Sequence, residues 1–497
     1  MTRRAVLPAV ATCLLAGPTA LAFYSGGFFT EPRLVAAIAA WALVLALTVA
    51  GPAPLPRRPA GWLAVGGLVG IAAWSAISLA WAPLGGAAIQ NVERLVLYLG
   101  ALLLAIGTLR ARGAVRAVEP ALAAGATIVI GYGLAGRLLP GVLHFAHSQR
   151  AGGRLEQPIT YWNAEGALAA VGLVLCARVA GDRSRPAWMR GLAGAATAPL
   201  GAGVYLSYSR GAIAAGVVGL MVLVAVAPTR SQLCAAALAL ATAVAAGGCA
   251  AAFPGVASLE GTHSARVRDG AVALAILALL AAATGLLAAR RARSERRDAA
   301  GRDVLGHPRR LGAAAAIVLA GVTVGLVVGG LLEKGRPVGA TAARLTQVSS
   351  NRYDYWRLGL RAFRRHPLDG LGSGGFRVFW LRERPITETV QEVHSLELEM
   401  VAELGLVGLL AFGLMVGGVV AAGRRALRAH PELAAGPCAA ALVWFLHASI
   451  DWDWQIPAVS LPAVVLAGAL VALAEGVSAG GRPPDRAAAA PPAPGAR

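Results

Sequence analysis

The sequence predicts an all-α, polytopic membrane helix bundle. It has about 14 transmembrane helices (12 being possible) and one large extracytoplasmic loop containing an amphipathic helix. Three observations carry this prediction. Hydrophobic residues make up 57% of the 497 residues and charged residues 14%, against roughly 25% charged in a soluble domain. Apolar runs near the ~20 residues that cross a bilayer as a helix recur along the chain. Arginines alternate between rich and poor connections, as positive-inside topology requires. So few charges cannot cover a soluble surface, and a purely soluble enzyme is excluded.

In order, the apolar runs fall near residues 5–22, 33–50, 62–81, 92–109, 118–138, 162–181, 191–208, 211–227, 232–253, 270–289, 311–332, 396–422, 436–450 and 457–475. The pair across 191–227 reads either as two crossings or as one broken hairpin. The first 22 residues, with Arg3 and Arg4 before an apolar stretch and Ala-Leu-Ala, also have the pattern of a signal peptide; a retained first helix is the expectation. Residues 1–475 are read as the membrane domain, including the loop 333–395, and 476–497, rich in Ala, Pro and Gly, as a disordered cytoplasmic tail.

The formal charge is +20, and all the cations but Lys334 are arginine. With the N-terminus inside, the inner connections and tail carry 26 basic residues; the outer ones carry 8 besides the long loop, which the positive-inside rule largely exempts. Both termini are therefore expected inside and the long loop outside. Topology accounts for the charge, no nucleic-acid motif is present, and no nucleic-acid partner is expected. The five cysteines lie in or beside apolar runs without a CxxC pair, so neither zinc nor a disulfide framework is indicated. Trp62, Trp81, Trp162, Trp188, Trp452 and Trp454 fall at span ends, the position of an interfacial aromatic belt.

The long loop gathers the ionisable and aromatic residues. A helix is expected from Asn351 to Arg365, after Ser-Ser-Asn as a cap and before Pro367. At 100° per residue Trp356, Leu360 and Phe363 share a face, Arg357, Arg361, Arg364 and Arg365 another. Such a helix would lie on the membrane surface or as a lid over a cavity. Arg352 points with the aromatic residues. A cation there is costly unless paired, which makes Arg352 a candidate anion ligand or else a snorkelling arginine. The run Pro367-Leu-Asp-Gly-Leu-Gly-Ser-Gly-Gly-Phe376 reads as an anion nest of backbone amides or as a tight turn packed on the bundle.

His394 opens the next span. Helical projection puts it on one face with Val401, Gly405, Gly408 and Phe412, at the mouth of a close helix–helix seam. There it is either structural or a proton acceptor. Arg210, between two apolar stretches, should face a polar cavity or the outer interface, since an arginine at a span centre costs roughly 2.5–3.5 kcal/mol. Arg210, Arg352 and His394 share one side, and guanidinium groups match phosphate geometry, so the three make a receptor for a diphosphate. Asn163, Glu165 and Asp451, also outside, are candidates to bind hydroxyls or orient His394. Helix-end solvation is the expectation for Asp453.

Several of these segments together resemble the O-antigen ligase/polymerase superfamily of membrane glycosyltransferases. The carrying residues are Ser209-Arg210-Gly211-Ala212; Arg352 and Trp356 followed by 367–376; and His394-Ser395, then nine residues, then Gly405-Leu-Val-Gly408. Pro158 to Asn163 is similar as well. The resemblance implies transfer of a glycan from undecaprenyl diphosphate to an acceptor hydroxyl, outside the inner membrane. It implies that Arg210 and Arg352 bind the diphosphate and that His394 sits at the reaction centre. It implies neither a cofactor nor a metal. Membrane lipid and an acceptor glycan, lipid or protein are the other expected partners. Transfer onto lipid A–core, polymerisation of a polysaccharide and glycosylation of a protein all remain open within it. A transporter of glycan-lipid or a small anion, and a non-catalytic scaffold, are the competing classes; the polar outer loop and the lack of an internal repeat favour surface chemistry over alternating access.

Overall fold

A computed structural model describes residues 3–50, 53–297 and 350–476. The expected span 311–332, the first part of the long loop and the tail from 477 lie outside the described residues. Helices account for nearly all the order, and the described residues contain no strand.

The bundle is built from α1 (Arg3–Ala22), α2 (Thr30–Ala50), α3 (Pro59–Ile77), α4 (Gly85–Thr108), α5 (Arg112–Leu138), α6 (Trp162–Gly181), α7 (Ala187–Leu206), α8 (Arg210–Val226) and α9 (Arg230–Ala251). A single turn, α10 (Pro254–Ala257), leads to α11 (His263–Arg297). Beyond the undescribed segment come two short helices, α12 (Arg352–Arg365) and α13 (Phe376–Glu383), then α14 (Leu396–Ala429), α15 (Pro431–Ala448) and α16 (Pro457–Glu475). Among the described residues nine helices are long and apolar enough to cross a membrane, and Val6–Ala22 and Arg210–Val226 are shorter apolar helices. The stretch 191–227 is two helices joined by a three-residue turn.

α6 and α16 are buried along almost their whole length. Both are rich in Ala, and α6 also carries three glycines; small side chains let neighbouring backbones approach on every side where lipid offers no hydrophobic drive to associate. One close crossing joins α3 to α14. A Cβ on Gly67 would strike the Met415 backbone and one on Gly418 the backbone of Ala64. This is the real small-residue seam of α14; Gly405, expected on such a seam, is instead a break in the helix with φ +63°.

One end of the bundle is closed by buried ion pairs between arginines and carboxylates. Arg110 meets Glu475 at 2.7 Å, Arg190 meets Glu295 at 2.8 Å, and Glu119 lies 3.5 Å from Arg178 and 3.4 Å from Arg185. These arginines belong to the connections read as inner. The expected tryptophan belt is only partly realised. Trp62 and Trp188 are exposed, whereas Trp454 is buried and Trp452 half-buried, because these two pack against Tyr98 and Tyr161.

Candidate active site

The opposite end carries the polar residues of the 449–456 turn between α15 and α16. Its sequence, Asp451-Trp-Asp-Trp-Gln455, is buried apart from the half-buried Trp452, and each of the three polar residues ties down a different element.

Asp451 has no exposed side-chain surface and is ion-paired with Arg352, which keeps 24% of its own. The other carboxylate oxygen accepts from the Tyr161 hydroxyl at 2.7 Å and from the Trp452 amide at 2.9 Å. Asn163 donates to the Tyr161 oxygen at 2.7 Å. Burial opposes ionisation of Asp451, but Arg352, helped by His394, His447 and the tyrosine hydroxyl, holds its carboxyl below the usual range. The same burial and the neighbouring carboxylate push the Tyr161 phenol well up. Burial alone would lower the Arg352 guanidinium; Asp451, together with Tyr161, Asp453 and Tyr355, more than offsets this and fixes the cation. Arg352 thus has the counterion that a half-buried cation requires. Asp451 reaches it directly, and Asn163 stands behind Tyr161, two hydrogen bonds from Asp451.

Asp453 does not serve helix-end solvation. It is fully buried and pairs with His447 Nδ1. The opposite ring nitrogen of His447 lies 3.1 Å from Ser209 Oγ, and Ser209 caps α8, accepting from the Ala212 amide. Arg210 is the first residue of that helix.

Gln455 accepts from the Arg94 guanidinium and donates to Glu399 at 2.7 Å and Glu392 at 3.2 Å. Burial raises the Glu392 carboxyl. Two residues on, His394 sits in the left-handed region at φ +58°, a conformation that His adopts more readily than most residues and that is often stored at functional sites. Its Nδ1 lies 2.9 Å from the Glu392 carbonyl. A carbonyl can only accept, so Nδ1 carries the proton and, in the neutral ring, Nε2 presents a lone pair. The ring packs against Tyr355 at 5.0 Å and Trp452 at 6.3 Å. Burial lowers its basicity more than Asp451 restores it, with Arg352 acting in the same direction as burial. Trp356 donates to the His394 carbonyl at 3.1 Å, joining α12 to this corner.

α12 differs from its expected orientation. Its buried face is Tyr355, Leu358, Gly359 and Ala362, not Trp356, Leu360 and Phe363; Leu360 is exposed. Gly359 and Ala362 are small, which lets Val393 and Ala402 come close, whereas a reading by large apolar residues discounts them. Asn351 precedes the helix without a side-chain cap, and the Ser350 hydroxyl accepts from the Arg352 amide at 3.3 Å.

The glycine-rich run is a tight turn on the bundle. Leu371 and Gly372 donate their amides to the Ala402 and Glu403 carbonyls, and Leu406 donates back to Pro367. Gly374 and Phe376 donate to the Glu403 carboxylate at 2.7 and 3.2 Å. The nest of amides is therefore filled by the protein's own Glu403 carboxyl group. α14 opens at Gly405 to receive the turn, and a Cβ there would press into the Leu368 carbonyl.

Glu165 is buried and accepts from the Ile159 amide at 3.0 Å, bracing the 156–160 turn. The structure thus links Arg352, Asp451, Asn163 and His394 around Trp452 and Tyr161, and connects Arg210 to them through Ser209, His447 and Asp453. Sequence reasoning missed His447, Gln455, Arg94, Glu392 and Tyr161. Arg94 and His447 gave a usable signal, each being an ionisable residue inside an apolar run.

Residues 264–413 match the family model described as O-antigen ligase. No curated protein matches the chain. The matched segment contains Arg352 and His394; Arg210, Asn163 and Asp451 lie outside it. Over that segment the resemblance drawn from the sequence motifs to the O-antigen ligase/polymerase superfamily is borne out.

Proposed function

We propose, from this superfamily match, that the chain transfers a glycan from a polyprenyl diphosphate, with undecaprenyl diphosphate the expected carrier, to an acceptor hydroxyl in cell-surface polysaccharide synthesis. The reaction would take place at the extracytoplasmic face of the inner membrane. The observation that carries the proposal is the pairing of a fixed, part-exposed cation, Arg352 on Asp451, with a histidine whose Nε2 is available.

In this reading Arg352 and Arg210 neutralise the charge that grows on the departing diphosphate, the usual electrostatic contribution at such a step. A guanidinium has about five N–H donors in a planar fork. Asp451 engages Nη2 and keeps the fork in one orientation for a phosphate to meet. His394 Nε2 takes the proton of the acceptor hydroxyl as its oxygen attacks the anomeric carbon and the glycosyl–phosphate bond breaks. General-base help of this kind is typically worth ~10²–10⁴-fold. Asp451, and Asn163 behind Tyr161, position Arg352 rather than touch the sugar; Glu165 supports the adjoining turn.

The test is transfer in proteoliposomes from an undecaprenyl-diphosphate glycan to candidate acceptors. One added block indicates a ligase or protein glycosylation, distinguished by the acceptor used, and a ladder indicates a polymerase. His394→Ala should abolish transfer while the protein still inserts. Normal transfer by that variant eliminates the base role, and uptake of labelled glycan-lipid without transfer favours transport.

A further inference from the structure

The buried chain Ser209–His447–Asp453 has no part in the chemistry above. Ser209 Oγ is 3.1 Å from His447 Nε2, His447 Nδ1 meets Asp453 Oδ2, and all three side chains are buried. A carboxylate only accepts, so Nδ1 is the donor to Asp453. With the ring neutral, Nε2 accepts and the Ser209 hydroxyl donates to it. The serine lone pairs then face α8, whose Ala212 amide donates to Ser209 Oγ at 3.3 Å. The order of groups is that of a serine nucleophile with its base and orienting acid. Ser209 is nevertheless enclosed, and its oxygen is used as a helix cap, so the chain acts as a strut.

Packing reinforces the strut. A Cβ on Gly211 would come within 2.6 Å of Ile450 and 3.2 Å of the His447 ring, and one on Gly166 within 3.0 Å of Ala212. The Ser-Arg-Gly-Ala turn is thus clamped between α6 and α15. It presents Arg210 at the first position of α8, where the helix dipole disfavours a cation. Something other than local preference has to keep it there. Asp453 is two residues from Asp451, the counterion of Arg352.

We infer that Asp453, His447 and Ser209 are positioning residues that hold the α8 turn bearing Arg210 in register with the Arg352–Asp451 pair, so that one short stretch, 451–453, sets both cations. This rests on the reading of Arg210 and Arg352 as diphosphate ligands.

The test uses the full chain in proteoliposomes, with labelled undecaprenyl diphosphate as probe, glycan transfer as a second readout and amide exchange at 210–213 as a third. Ser209→Ala should weaken probe binding about tenfold, the scale of one lost buried hydrogen bond. It should raise the donor KM with little change in kcat, and speed exchange at 210–213. Ser209→Thr, which keeps the hydroxyl, should restore binding to within about twofold, the span of an ordinary cap exchange. In an Arg210→Ala background Ser209→Ala should add nothing to the binding defect, since the two act through one group. Unchanged binding and exchange in Ser209→Ala, or an equal defect with and without Arg210, overturns the strut. Wild-type probe binding by Arg210→Ala alone refutes the diphosphate reading instead, and exchange at 210–213 then still reports on the strut.

Discussion

Arg352 and Asp451 lie 99 residues apart and form one ion pair, its carboxylate fully buried and its guanidinium part-exposed. That asymmetry gives the pair a direction: the anion depends on the cation more than the reverse.

Arg352→Ala should therefore be the costlier change, about 3 kcal/mol, because it strands a buried charge. Asp451→Ala should cost less, since Arg352 can turn to water. The double variant should be more stable than Arg352→Ala alone. Equilibrium unfolding of the four proteins in detergent checks the order, and additivity of the two single effects would contradict it.

The pH dependence follows from His394. Burial holds its pKa below the ordinary value, about 6.5, so the unfolded chain takes up a proton there before the folded one does. Its contribution to stability is full above about pH 6.5 and is lost as pH falls through the folded pKa. Transfer fails in the same window, because the protonated ring has no lone pair. A pH–rate profile with its acid limb below about 6.5, absent in a slow His394→Gln variant, is the expected result.

Gly405 has φ +63° and no room for a Cβ. Gly405→Ala should destabilise by about 1–3 kcal/mol and lower the yield of folded protein. At Gly413, eight residues along the same helix, an added Cβ would meet nothing within 4 Å, and the alanine variant should be neutral or slightly stabilising. Thermal melting of the two side by side tests the break.

Glu403→Gln keeps the shape but turns an amide toward the Gly374 and Phe376 donors, where a carboxylate now accepts from both. The expected cost is about 1–3 kcal/mol for an acceptor lost in a buried place, seen as faster amide exchange confined to 370–376. Unaltered exchange there would mean that the turn is held by its backbone bonds to α14 alone.

Gly405 and Asp453 mark the boundary between what the sequence reveals and what it conceals. The sequence by itself determined the class of fold, the approximate position of each long described helix, the two-ended distribution of arginine, and Arg352, His394 and Asp451 as residues of one end. These follow from the cost of moving each side chain from water to hydrocarbon, a property read locally along the chain. Only the tertiary structure decided that Glu403 fills the glycine nest, that α12 buries its small residues, that α14 breaks at Gly405, and that His447, Gln455 and Arg94 join the site. Each of those depends on a partner tens to hundreds of residues away, and hydropathy carries no information about which buried polar groups will meet.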